Sequence, residues 1–333
     1  MEKLEVTFRI VTPMFLGGAD PNIQAELRPP SIKGAMRYWY RAIYPNEDHK
    51  VETRIFGGTD ADAGQARILL RLSDIHQIEG KKEDARWAKS KIPYLGYGIF
   101  SLKETGEYYT DSSGRQKERK EFRPSRPFLD QESSFKLTII FKPFRAGEKG
   151  KKYNEKDYKQ DKIKVQQALW AMVMFGGLGA RSRKGFGSLV VTEQNGMDNL
   201  PSLMPQDINE LEQAIKDFMD PLEYAQVSLP DNPADFTCFT QDSRCILIKH
   251  HSSADKAFVW LADKVHSCRS YRSKSHYEIA GEDHDKMRDF IASGKVPDSP
   301  PKRAAFGLPH NYFFSSISGD RKKGNVDFMD GNQ

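Results

Sequence analysis

A chain of 333 residues with 38% apolar and 11% aromatic side chains is long enough to bury two cores of ordinary size. At 29% charged, with mean hydropathy −0.67 and no long unbroken apolar run, its composition excludes a membrane span. The 51 Lys and Arg are nearly offset by 46 Asp and Glu, leaving +5, so any affinity for nucleic acid must come from where the cations cluster.

Three cysteines, Cys238, Cys245 and Cys268, lack CxxC spacing, which argues against a disulfide framework and a zinc site and fits a reducing cytoplasm. The opening MEKLEVTFRIV alternates charge with hydrophobe and reads as neither signal peptide nor span.

Leu4, Val6, Phe8 and Ile10 alternate with polar residues, the period of two of a strand with one buried face. A helix follows, with Ser31 as its N-cap and Ile32, Ala35, Met36, Trp39 and Ile43 at helical spacing. Ala66, Ile68, Leu70 and Leu72 predict a second strand, and Phe135, Leu137, Ile139 and Phe141 a third. Between them residues 74–133 form a long polar excursion, least structured at 103–126. From about Lys162 a helical pattern runs to Gly176-Gly177, and Phe186–Thr192 predicts the next strand. The order strand, helix, strand, strand, helix, strand is ferredoxin-like and places an α+β domain at residues 1–195. Residues 196–333 then form a second domain, with helices at 208–218, 254–268 and 283–292, a strand at Arg244–Lys249 and little for residues 319–333 to pack against.

The segment Gly176–Gly187 holds five glycines and three cations in twelve residues. Glycines let a backbone approach a ligand closely, so Gly177, Gly179 and Gly185 are candidates for RNA binding, while Arg181, Arg183 and Lys184 can meet phosphate oxygens. A nucleotide-binding Walker loop is disfavoured, because the segment follows a helix, precedes a strand and lacks GK[ST]. The same composition also suits a plain glycine-rich connection with solvated charges. Lys33, Arg37 and Arg41, four residues apart, form one basic stripe that can follow a nucleic-acid backbone or simply face solvent. Phe15, Tyr38 and Tyr40 are candidates for stacking on bases, although each suits a core better. In the ferredoxin-like order the stripe and the loop can line one groove. His250-His251 and the Glu282–Asp285 cluster show no metal-ligand spacing and read as solvated loop; a histidine general base for metal-free RNA cleavage is the alternative.

Thr12–Gly18, Arg28–Arg41, Ile55–Gly58, Gly176–Gly187 and Phe306–Pro309 together resemble the RAMP superfamily of CRISPR systems, more narrowly the first subunits of type III-B Cmr modules. The resemblance covers about residues 3–315 and implies two ferredoxin-like domains. It also implies an RNA-binding, noncatalytic role for Lys33, Arg37, Arg41, Arg181, Arg183 and Lys184 in antiviral defence, without cofactor, metal or small-molecule substrate. The implied partners are guide RNA, target RNA and other Cmr subunits, with contact near the 3′ part of the guide and target cleavage left to a different subunit. The alternative within the superfamily is a metal-independent endoribonuclease that processes guide precursors. A family member is expected to continue past Phe306–Pro309 with further strand-forming sequence; this chain ends in Asp330–Gln333, leaving the second domain short.

Overall fold

The structure, a computed structural model, describes residues 2–58, 65–81, 86–88, 91–111, 113–142, 154–197, 200–222, 237–240, 243–248, 253–269, 277–294, 297–299, 301–302, 310–313 and 323–326. The chain divides into two compact units, 1–258 and 259–333. The first extends past residue 195, where composition placed a boundary.

In chain order the elements are β1 (Lys3–Ile10), α1 (Pro29–Ile43), α2 (His49–Phe56), β2 (Ile68–His76), β3 (Glu79–Gly80), α3 (Ile92–Leu95), β4 (Phe100–Thr110) and β5 (Gln116–Pro124). There follow β6 (Phe128–Leu129), β7 (Ser134–Phe141), α4 (Glu155–Phe175), β8 (Leu189–Asn195), α5 (Ile208–Met219), α6 (Ala254–Arg269), α7 (Tyr277–Ser293), β9 (His310–Phe313) and β10 (Lys323–Val326). The molecule is thus mixed α+β with antiparallel sheets.

The main sheet has the order β2-β7-β1-β8, every neighbouring pair antiparallel. β1 lies inside it because its alternating residues Leu4, Val6, Phe8 and Ile10 are all buried on one face. Phe8 faces Phe135 of β7 with ring centroids 5.1 Å apart. α1 and α4 are packed together, with Met36, Tyr40, Leu169 and Met172 in the same core as the strands.

Both helices start earlier than the sequence pattern indicated. α1 begins at Pro29, with Arg28 as an extended N-cap, so Ser31 sits inside the first turn rather than capping it. Proline fits there because its ring presets helical φ and its missing N–H is one that the first turn leaves unpaired anyway. α4 begins at Glu155, where Asn154 and Asp157 form a reciprocal capping box upstream of the apolar pattern. It stops at Gly176, whose added Cβ would lie 2.6 Å from the Trp39 ring.

α5 belongs with this core. Phe218 stacks on Trp170 of α4 at 4.0 Å and 13°, and both rings are fully buried. Of the span 103–126, expected to be the least structured, residues 103–110 and 116–124 belong to a two-stranded ribbon of β4 and β5, which pairs from Phe100 opposite Pro124 to Thr110 opposite Gln116. Asp111 closes its tip by accepting from the Ser113 amide and hydroxyl and the Arg115 amide.

Ser243–Ile248 form no strand: Ile246 and Ile248 are exposed, and a two-residue period has nothing to bury without a pairing edge. Lys249, His250, His251 and Phe306–Pro309 lie outside the described residues. In the second unit α7 starts at Tyr277, so Glu282–Asp285 lie within a helix rather than a loop, with buried Asp283 accepting from the Lys302 amide at 2.7 Å. Within the tail, Lys323–Val326 pair antiparallel with His310–Phe313, so this segment does find a partner.

Candidate nucleic-acid interface

The glycine-rich segment folds back on Thr12–Phe15, the chain just after β1. The Ala180 amide donates to the Phe15 carbonyl at 2.8 Å and the Gly187 amide to the Pro13 carbonyl at 2.9 Å. Thr12, buried, donates its hydroxyl to the Gly185 carbonyl at 2.7 Å and accepts from the Ser188 amide at 2.9 Å.

The glycines serve this folding back. A Cβ on Gly179, where φ is +89°, would stand 2.6 Å from the Phe15 carbonyl oxygen, and one on Gly177 would stand 2.5 Å from the Gly187 carbonyl oxygen. Gly185, with φ +89°, closes the short 3-10 turn Ser182–Lys184. The close approach inferred from the sequence is therefore to the protein's own backbone. What the turn presents to solvent is the side chains of Arg181, Arg183 and Lys184, all exposed.

The first two of these cations have neutral partners. Arg183 donates to the Tyr38 hydroxyl at 3.0 Å and lies 5.1 Å from that ring's centroid. Arg181 donates through Nε to the Tyr97 carbonyl at 2.8 Å. Neither bond cancels charge.

The α1 stripe is different. Arg37 donates to Glu52 of α2 at 2.8 Å, and Arg41 meets the same carboxylate through Nε and Nη2, each at 2.8 Å. The Glu52 side chain is only 5% exposed, against 29% and 40% for the two arginines. Burial by itself would raise the Glu52 pKa, but the hydrogen bonds and charges of Arg41 and Arg37 outweigh it and hold the carboxyl below its usual range. This group of three carries one net positive charge and ties α1 to α2. Lys33, partly exposed, lies one turn earlier on the same helix.

Phe15 offers no face to a base. It is 1% exposed, with ring centroids 5.0 Å from Phe128 and 5.9 Å from both Phe100 and Phe186, because an apolar residue between a sheet and a crossing loop is drawn inward. Tyr40 is likewise buried.

α1 and the loop do converge. Ser31, Ala35 and Tyr38 from one side and Gly177, Gly179, Ser182 and Arg183 from the other line a cleft of about 330 Å³, with Trp39 and Leu16 at its floor. Its lining holds one cation, hydroxyls and an aromatic face, and neither a histidine nor a carboxylate. Such a surface can hold a phosphodiester chain by charge and hydrogen bonds. Tyr94 and Tyr97, both well exposed, with the Tyr97 carbonyl bonded to Arg181, were missed by the sequence reading, since only a polar excursion marked their segment. Among the described residues no three His, Cys, Asp or Glu side chains converge as metal ligands, and no helix is long and apolar enough to cross a membrane.

Residues 7–190 match the RAMP superfamily model. The chain is 26% identical over 195 residues to CRISPR system Cmr subunit Cmr1-2 of Pyrococcus furiosus, covering 54% of this chain and 90% of that protein. Its fold is similar to the crystal structure of apo Cmr1 from Pyrococcus furiosus, with TM-score 0.53 and 18% identity over 94% of this chain and 83% of that one. It is also similar to a chain of the Type III-B Cmr-beta complex, seen by cryo-EM bound to cognate target RNA and AMPPnP in the presence of ssDNA, with TM-score 0.50, 14% identity, and coverage of 90% and 81%. With more than half of its residues inside the family match, and with α1 and the glycine-rich loop within that match, this chain belongs to the RAMP superfamily.

Proposed function

We propose that this chain is a noncatalytic RNA-binding subunit of a type III-B CRISPR effector complex. In this reading it contacts guide RNA, target RNA or both near the 3′ end of the guide, beside other Cmr subunits in the cytoplasm. The first domain is ferredoxin-like, formed by the four-stranded sheet with α1 and α4, and the second domain follows the same plan.

One observation carries the reading: α1 and the glycine-rich turn, remote in sequence, line one cleft with Arg183 inside it and exposed Arg181 and Lys184 beside it. Similarity to Cmr subunits supports the assembly, and a cleft lined by a cation, hydroxyls and an aromatic face supports binding of an RNA backbone. Affinity is then mainly electrostatic and directed at the backbone, with little base specificity.

Binding of single-stranded RNA across a salt series tests this, comparing the unaltered chain with the Arg181→Ala, Arg183→Ala, Lys184→Ala variant. Each phosphate contact on a single strand contributes about 0.7 to the log-log salt slope, so losing three should shrink it by roughly 2. Tight binding with an unchanged slope would move the RNA elsewhere. Specific, metal-independent cutting of repeat RNA would overturn the noncatalytic assignment.

A further inference from the structure

We propose that Tyr94 and Tyr97 form a base-stacking subsite for single-stranded RNA, placed so that a strand held by the basic turn lays one or two bases on them. This rests on the reading that the turn binds an RNA backbone, and adds to it a contact with the bases.

The two rings are left in water by a segment that is otherwise buried. Tyr94 is 57% exposed and Tyr97 79%, whereas Ile92, Pro93, Leu95, Ile99 and Phe100 around them are in the core. α3 is a single turn, closed by the Gly96 amide on the Ile92 carbonyl at 3.1 Å, and the Ile99 amide then donates to the Gly96 carbonyl at 2.9 Å. Gly96 lies flat on the aromatic cluster, since a Cβ there would come within 2.6 Å of the Phe100 ring and 3.0 Å of the Phe186 ring. The tyrosines therefore project from a backbone that is already fixed, so little ordering entropy is lost when a ligand settles on them.

A cation stands beside the Tyr94 ring and another at the Tyr97 backbone. Lys91 Nζ lies 5.9 Å from the Tyr94 centroid. Arg181 spends only Nε on the Tyr97 carbonyl, so the rest of its five-donor guanidinium can meet a phosphate. Gly98, with φ +87°, keeps side-chain bulk away from this guanidinium, which is 3.7 Å from where its Cβ would be. Aromatic faces next to phosphate-binding cations match a strand whose bases are unstacked and free. A duplex hides those faces within its own stack.

The test uses the full chain and two probes, a short oligouridylate and the same oligomer with abasic riboses. The Tyr94→Ala, Tyr97→Ala variant should bind oligouridylate weaker by about fivefold to about 150-fold per stacked base, with the salt slope unchanged. Its affinity for the abasic oligomer should not move, and Tyr97→Phe should retain the affinity for oligouridylate. Because both rings are exposed, the melting temperature should stay in place. Equal losses on both probes, or full affinity for oligouridylate in the double variant, would overturn the proposal while leaving the backbone contacts standing. A double variant that keeps its RNA affinity but no longer assembles with other subunits would assign the tyrosines to a protein interface and overturn it too. Absence of salt-dependent binding by the unaltered chain would overturn both this proposal and the function on which it rests.

Discussion

Replacing Glu52 by glutamine should weaken the fold and strengthen RNA binding at the same time. The carboxylate is buried and accepts three hydrogen bonds from Arg37 and Arg41, each at 2.8 Å. Breaking a fully buried ion pair from one side costs about 3–5 kcal/mol. Both guanidiniums are partly exposed and can rehydrate, so Glu52→Gln should cost about 1–2 kcal/mol, or about 3–6 °C of melting temperature for a unit of this size.

The difference between the two proteins has a defined pH window. Because the Glu52 pKa is lowered from 4.5 in the folded state, its contribution is fully present above that value and is lost as pH falls through the lowered folded pKa. Melts of the two proteins should therefore diverge at neutral pH and converge in acid. On the RNA side the variant removes one negative charge beside α1, so its log-log salt slope should steepen by about 0.7. Thermal denaturation across pH, together with RNA titrations across salt, measures both effects. A destabilised variant with an unchanged or shallower slope would refute the participation of α1 in binding and leave Arg37 and Arg41 as purely structural residues.

Three further outcomes follow from the packing. Gly179→Ala should cost about 1–3 kcal/mol from its left-handed φ alone, plus the overlap with the Phe15 carbonyl, and should weaken RNA binding as the basic turn shifts; an unchanged urea midpoint would show that the turn is not held as described. Phe218→Ala should cost about 3–5 kcal/mol, because the ring is buried against Trp170, and a loss well under 1 kcal/mol would detach α5 from the first unit. Joining Leu102 to Phe122, which are cross-strand partners, through an Asn-Gly turn removes the exposed length of the ribbon and should change stability by no more than about 0.5 kcal/mol in urea denaturation. A larger loss would reveal packing beyond the root of the ribbon.

Much of the fold was legible in the chain. The two-residue period of Leu4–Ile10 and Phe135–Phe141 named strands that are buried on one face, and the helical spacing of Ile32, Met36, Trp39 and Ile43 named the face of α1 that meets the sheet. Periodicity succeeds there because it records burial, which is a property of each element's own face. It could not say which charge lies opposite which. Arg37 and Arg41 read as a free stripe, and only the approach of α2 placed Glu52 between them. It also could not say what a glycine approaches: Gly177 and Gly179 make room for other parts of this chain, and Phe15, a stacking candidate in the sequence, is buried. The polar excursion shows no sustained apolar period, so its ribbon and the seating of Tyr94 and Tyr97 depend on cross-strand pairing and on the aromatic cluster below Gly96. The sequence by itself thus determined the central strands, the long helices and the composition of the basic turn, all of which depend on local pattern. Tertiary structure alone decided which cations meet a carboxylate and which aromatics face water, because both depend on partners brought together from distant parts of the chain.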